Sequence, residues 1–381
     1  MDVLSGHTGA CSGKRNWMNP VKRIVSKALR SMPLWFWERV APKDVIALCY
    51  HLVSDEDLPH QVYYAYKNAR QFESDVVYAK SRAVTYDEVA GHRLRSQPLP
   101  RGRILFTFDD GFAECFHVAR PILRKHSVPA VFFVTTGFLD DQRRLFETSA
   151  SLCLTRLAHM DAEAAARLVA DLSLDRPPAA GRQASNRTLA LRRLPMLRLP
   201  QLASPAQREV ALWLLGFEED GAEEIERACA LFGVDPAAYS RGRPLFMSSA
   251  QVQQLAAEGF TIGSHGLTHL PARRAGRERM EQEIVASCRV VRDLSGQKRV
   301  PYAFPYGGSE IERAEIAEIL RRHEFIDLFF DTAGLRCDAP FVVNRVWGDP
   351  PPEQGETGSN LPFLLCSAWA HRSAWSRKPP E

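Results

Sequence analysis

The chain has 381 residues, of which 45% are hydrophobic and 25% charged, and a formal net charge of +4. It can bury a sizeable core, and nothing in that composition suits a disordered or fibrous chain. The charge is mild and no long basic run interleaves with aromatics, so no nucleic-acid partner is expected. The eight cysteines, among them Cys49, Cys115, Cys288 and Cys337, are scattered singly and read as reduced core residues. No stretch approaches the roughly 20 apolar residues of a membrane span, and no apolar run follows a basic start. A cytoplasmic enzyme is the expectation.

Residues 1–42 form a basic and aromatic N-terminal segment. Within 20–40, Lys22, Arg23, Lys27 and Arg30 stand beside Leu29, Met32, Leu34, Trp35, Phe36 and Trp37. Such a stretch either lies on an anionic membrane surface, peripherally and at its inner face, or packs its aromatics on the folded domain. Residues 43–141 follow with αβ patterning. The run 45–50 is an apolar strand leading to His51, 103–108 is a second strand ending at Asp109-Asp110-Gly111, and 131–134 is a third.

Residues 142–245 interrupt that pattern with Ala, Leu, Arg and Glu, and predict a mainly helical insertion, too long for a structureless loop. Helices are expected over 162–172 and 205–215, the second with Ser204 as N-cap and Pro205 as first helical residue. Pro177, Pro178 and Gly181 mark a loop between them. The insertion either caps a site and selects substrate or serves as an oligomerisation or partner surface; the oligomeric state is not legible. In 246–350 the αβ pattern resumes: Ser248 to Gln251 carry a helix-start signal, and 260–263 is a strand followed by His265 and His269. The proline-bearing tail, 351–381, is expected to be irregular.

Two adjacent carboxylates and two histidines four residues apart, all following strands, are the parts of a metal-assisted hydrolase. Neighbouring strand residues point to opposite sides, so Asp109 and Asp110 could divide their labour between water and metal. If the chain turns helical after residue 263, the i, i+4 spacing puts both imidazoles on one face.

These stretches resemble a known family. Thr107-Phe108-Asp109-Asp110-Gly111, Ser264-His265-Gly266-Leu267-Thr268-His269 and Phe304-Pro305-Tyr306-Gly307 are similar to the first three motifs of the polysaccharide deacetylases, the NodB-homology or carbohydrate esterase family 4 enzymes. The run from Val45 to His51 resembles the opening strand of the family's Tyr-His subgroup, and Phe72-Glu73-Ser74-Asp75, placed before a helix, its next segment. The resemblance implies an α/β fold, a distorted (β/α) barrel of the NodB-homology type related to the TIM barrel but with fewer repeats, with the site at the strands' carboxyl ends. It further implies that Asp110, His265 and His269 bind a divalent metal, usually Zn2+, that Asp109 is the general base, and that Tyr306 lends its backbone N–H to the oxyanion. The implied activity is removal of an N-acetyl group from an amino sugar of a surface polysaccharide or its precursor, so an N-acetylated carbohydrate is the expected partner.

Two departures stand out. Where many members carry an arginine that orients the base, this chain has Tyr302-Ala303-Phe304, and the late Leu-x-His is replaced by Asn344-Arg345-Val346-Trp347. His51 becomes the candidate general acid, as the subgroup's early histidine; a core histidine capping a strand is the other reading. The departures also keep open a non-catalytic glycan-binding or scaffolding protein.

Overall fold

The structure, a computed structural model, describes residues 35, 36, 39, 44–141, 145–174, 185–199, 202–218, 221–353 and 358–375. Most of the 20–40 stretch therefore lies outside the described residues. The described chain falls into two compact units. One holds the strands, and the other comprises Leu58–Ala65 with Phe146–Ala237.

Seven short apolar runs become strands: β1 (Ile46–Tyr50), β2 (Ile104–Phe108), β3 (Ala130–Val134), β4 (Thr261–Ser264), β5 (Val300–Ala303), β6 (Ile326–Asp331) and β7 (Val342–Trp347). They pair in parallel in chain order, and β7 closes on β1. Strands of this kind are covered on both faces, which is why β2 and β3 read as near-continuous apolar runs rather than alternating ones. The result is the expected distorted (β/α) barrel.

Alternation still decides what lies inside. Ala47, Leu105, Val131, Phe133, Ala303, Leu328, Phe330 and Val343 form one buried cluster with Val84, Tyr86, Val89 and Ala90. The last four belong to or adjoin the Tyr86–Arg95 helix, which Thr85 and Glu88 start with a capping box. Val84 bonds to Ile104 at the head of β2, so this helix plugs the barrel at the strands' amino ends. The opposite end is left for chemistry.

Outward-facing residues meet the surrounding helices. Tyr50, Phe106 and Phe108 pack on Phe72, and Phe108 stacks on Phe132 at 4.9 Å. Phe72 to Asp75, expected ahead of a helix, lie inside the Ala69–Ala79 helix, because Asn68 and Gln71 form its capping box one turn earlier. That helix buries Asp75 against Lys67, and both side chains are essentially fully covered. The Tyr50 hydroxyl donates to the same carboxylate at 2.9 Å and the Ser359 hydroxyl at 2.6 Å. Past Ser359 the expected irregular tail is helical over Leu361–Trp375. The Ser359 hydroxyl accepts the Leu361 N–H, Leu361 and Leu365 are buried, and Pro362 falls in the first turn, where a proline is tolerated.

The second unit is helical and has its own core, drawing Leu154, Leu157, Leu168, Val210, Leu214, Ile225 and Phe232 from four helices. Ser204 caps the Pro205–Leu215 helix as the sequence predicts. Its capping-box partner Gln207 also donates to the carbonyls of Leu157 and Met160, tying the start of one helix to the end of another. The segment Leu58–Ala65 joins this unit through Val62, whose N–H donates to the Ser151 hydroxyl. Nothing in its local sequence signals that. Among the described residues no helix is long and apolar enough to cross a membrane.

Lys67→Met should destabilise the protein by about 3–5 kcal/mol, because it strands a buried carboxylate. Lys67→Met with Asp75→Leu should cost clearly less than the sum of the two single changes. Guanidinium unfolding midpoints of the parent, both singles and the double decide this; simple additivity would show that the pair is not coupled.

Candidate metal centre and active site

β2 ends at Phe108, and the two acids follow. Asp110 adopts a left-handed φ of 69°, and Gly111 one of 86°. The acids therefore diverge through this turn and not, as expected, through strand alternation. A Cβ on Gly111 would press on Val134, so the turn packs directly against β3. Asp109 stays under the barrel mouth, and Asp110 swings toward the loop after β4.

That loop carries both histidines, and it is not a helix. Gly266 at φ 86° and His269 at φ 62° break any helical run. The imidazoles converge through a turn that the buried Glu283 holds: its carboxylate accepts the N–H groups of Leu267 and Thr268, at 3.0 and 2.9 Å, and the Thr268 hydroxyl at 2.8 Å. The carbonyls of Gly266 and Leu267 accept from Thr136 and Gly137. Expected to come from helical spacing, the pairing comes from this brace.

Asp110 Oδ1 lies 3.4 Å from His265 Nε2 and 3.2 Å from His269 Nε2, and all three side chains are buried. His265 Nδ1 is 2.9 Å from the Ala303 carbonyl, which can only accept, so the ring's proton sits there. In the neutral ring this leaves a lone pair on Nε2 facing a carboxylate oxygen. Two acceptors in contact call for a cation between them. Donor separations of 3.2–3.4 Å also match a tetrahedral ion with bonds of about 2.1 Å. The residues fit a divalent metal of zinc type.

Asp109 is held from below. Arg345, fully buried, rises from β7 through the barrel interior with its guanidinium 5.3 Å from the Phe133 ring centre and 6.0 Å from that of Phe330. It donates to both carboxylate oxygens of Asp109, at 2.6 and 2.7 Å, and to the Thr107 hydroxyl at 3.1 Å. Burial by itself would raise the Asp109 carboxyl, but the Arg345 charge, with its hydrogen bonds, opposes it and the group stays below its ordinary range. For Arg345, burial works against the charge and Asp109 more than restores it.

His51 leaves the end of β1 with its ring over Trp347 at 4.9 Å. Asp349, just past β7, accepts the His51 backbone N–H at 2.8 Å and lies 2.7 Å from Nδ1. A ring nitrogen of His51, the Cys49 sulfur and an Asp109 oxygen all fall within 4.8 Å of one another, so His51 borders the same site. Burial would lower the imidazole pKa, but the Asp349 charge and hydrogen bond raise it to about 9. Cys49 donates to Asp109 at 3.4 Å, and burial pushes its thiol well up.

Tyr306 follows β5 at a left-handed φ of 57°, with its ring 4.8 Å from that of His269 and 45% of its surface exposed. Asp331, at the end of β6, accepts the Gly308 N–H at 3.0 Å and so fixes this turn.

All six residues singled out in the sequence thus surround one barrel mouth. Three further residues escaped it: Arg345, Asp349 and Glu283. Arg345 left one usable trace, a charged residue inside the mostly apolar Val342–Trp347 run; a surface-like carboxylate such as Asp349 or Glu283 left none.

Sequence comparison agrees with this geometry. The family model described as polysaccharide deacetylase matches residues 96–197 and 227–325. No curated protein matches the chain significantly. Among solved structures, the chain is similar to IcaB from Ammonifex degensii (18% identity, 89% of this chain and 99% of that one, TM-score 0.44). It is also similar to the deacetylase PplD from Streptococcus pyogenes, solved with acetate (13% identity, 86% and 99%, TM-score 0.49). The family match includes Asp109, Asp110, His265, His269 and Tyr306 but stops short of His51, Arg345 and Asp349, which come from the strands that close the barrel. Since it runs through both motif-bearing strands and spans more than half of the sequence, the chain belongs to the polysaccharide deacetylase family.

Proposed function

We propose that this deacetylase removes the N-acetyl group from an amino sugar of a surface polysaccharide or its precursor, with a divalent ion, zinc first among the candidates, held by Asp110, His265 and His269. The observation that carries the reading is the pairing of that donor triangle with a second carboxylate, Asp109, which Arg345 holds apart from it. One acid is placed for the ion and the other for water.

Bound there, the ion supplies Lewis-acid polarisation of the amide carbonyl and makes water more acidic. Asp109, ionised at neutral pH, takes the proton of the attacking water. Arg345 cannot give up its own proton, so it aims the carboxylate without competing for that one. The Tyr306 N–H, turned by its left-handed backbone, donates to the oxyanion as the carbonyl carbon becomes tetrahedral. An amine leaves poorly without a proton. His51 provides it from Nε2, since Nδ1–H donates to the Asp349 carboxylate, which stabilises the protonated ring and orients it. The C–N bond breaks, and the products are acetate and the free amine.

Asp110→Ala should lose both bound metal, read by elemental analysis after dialysis, and acetate release from N-acetylated glycans. Asp109→Asn should keep the metal and lose on the order of 10²–10⁴-fold in kcat. If the unmutated chain holds metal and binds glycans but releases no acetate, the glycan-binding reading replaces this one.

The pH profile tests His51. The group must be protonated to act, and its pKa is raised to about 9, so kcat should fall as pH climbs through that value. Asp349→Asn removes the charge responsible and should draw the alkaline limb down toward the ordinary 6.5. An alkaline limb that does not move with Asp349 would remove His51 from the mechanism.

A further inference from the structure

We infer that the helical unit carries a docking surface for anionic phospholipid, built on Leu191, Arg192 and Met196. The inference is independent of the catalytic reading. From residue 176 to residue 208 the sequence holds seven arginines and not one Asp, Glu or Lys. Acidic residues of the same unit gather elsewhere, as Glu223, Glu224 and Glu226 do on the Ala222–Phe232 helix. A solvated helical face normally mixes both signs, so this segregation is the first observation.

The second is the way the described part of that stretch is arranged. Asn186 caps the short Arg187–Arg193 helix, and a 3-10 turn, Leu194–Met196, follows at Pro195. The inward side is settled: Ala190 is fully buried, and Leu194, Leu197 and Leu199 pack on the unit's core. Arg193 turns inward too, donating to the carbonyls of Leu215 and Phe217. Arg187 pairs at the surface with Glu209. What points outward is Leu191, 54% exposed, and Met196, 57% exposed, with the exposed Arg192 beside them.

Large apolar side chains at such exposure beside the exposed Arg192, in a stretch whose own sequence carries arginines and no acid, match an interface that is apolar beneath and negatively charged above. Single-stranded nucleic acid would need aromatic platforms for its bases, and residues 176–208 contain no aromatic residue. With so few side chains the contact is reversible and salt-sensitive, suited to an enzyme that visits a surface.

The test is co-sedimentation of the full chain with phosphatidylcholine vesicles, with and without phosphatidylglycerol. The parent should bind only the vesicles with phosphatidylglycerol, less so at high salt. L191Q/R192E/M196Q should weaken that binding on the order of thirtyfold, since each cation near such a surface is worth about fivefold and R192E reverses one. Its thermal midpoint and its acetate release from a soluble substrate should stay at the parent's values, because these side chains lie in solvent and outside the active site. Equal binding by parent and variant, or no dependence on phosphatidylglycerol, overturns the inference. So does a dimer of the parent that the substitutions abolish without any vesicle binding, which would assign the face to a second copy.

Discussion

The ion pair between Asp109 and Arg345 is the constraint on which the rest of the site depends. A carboxylate and a guanidinium buried together in a barrel persist only if each neutralises the other and their geometry is near ideal. Here two short hydrogen bonds join them, Thr107 receives a third, and the rings of Phe133 and Phe330 floor the guanidinium. The pair spans β2 and β7, on either side of β1, so it depends on the barrel being closed. In return it keeps a buried carboxylate charged where a buried carboxylate would otherwise take up a proton.

Around that fixed point the remaining groups are held by strain and by braces. Asp110, His269 and Tyr306 all sit in the left-handed region, which costs a residue with a side chain about 1–3 kcal/mol. Each lies on a loop whose backbone is tied down. Thr135 donates to the Asp110 carbonyl, Glu283 binds the histidine loop, and Asp331 binds the turn after Tyr306. The barrel thus supplies anchor points at strand ends, and the loops between them are over-determined. Two imidazole nitrogens held 3.2 and 3.4 Å from one carboxylate oxygen need such restraint, since a wider separation would leave the imidazole lone pairs without a shared partner.

The positions where this chain departs from the common family pattern are also explained at this level. No arginine stands ahead of Pro305-Tyr306, and Asp109 is held instead by one arriving from β7; at the same mouth His51, from the end of β1, lies against its own carboxylate, Asp349. A closed ring of strands brings the first and last strand side by side, so a group can be supplied from either end of the chain and reach the same mouth.

Much of this was legible in the sequence. Near-continuous apolar runs such as Ile104–Phe108 and Ala130–Val134 determine buried strands, because only a backbone covered on both faces tolerates them. The capping signals at Ser204 and Ser248 determine helix starts through local hydrogen bonds that need no distant partner. The acid pair and the His-x-x-x-His spacing marked out the residues that gather into one candidate metal site, since few other uses require those groups after strands. Tertiary structure alone decided the rest. That His265 and His269 meet through a turn depends on Glu283, fourteen residues beyond the second histidine; that Asp109 is charged depends on Arg345; that His51 is oriented depends on Asp349, 298 residues away. Local propensity sees a few neighbours along the chain. Charge and orientation in a buried site are set by whatever the fold brings within a hydrogen bond's length, and sequence distance carries no record of that.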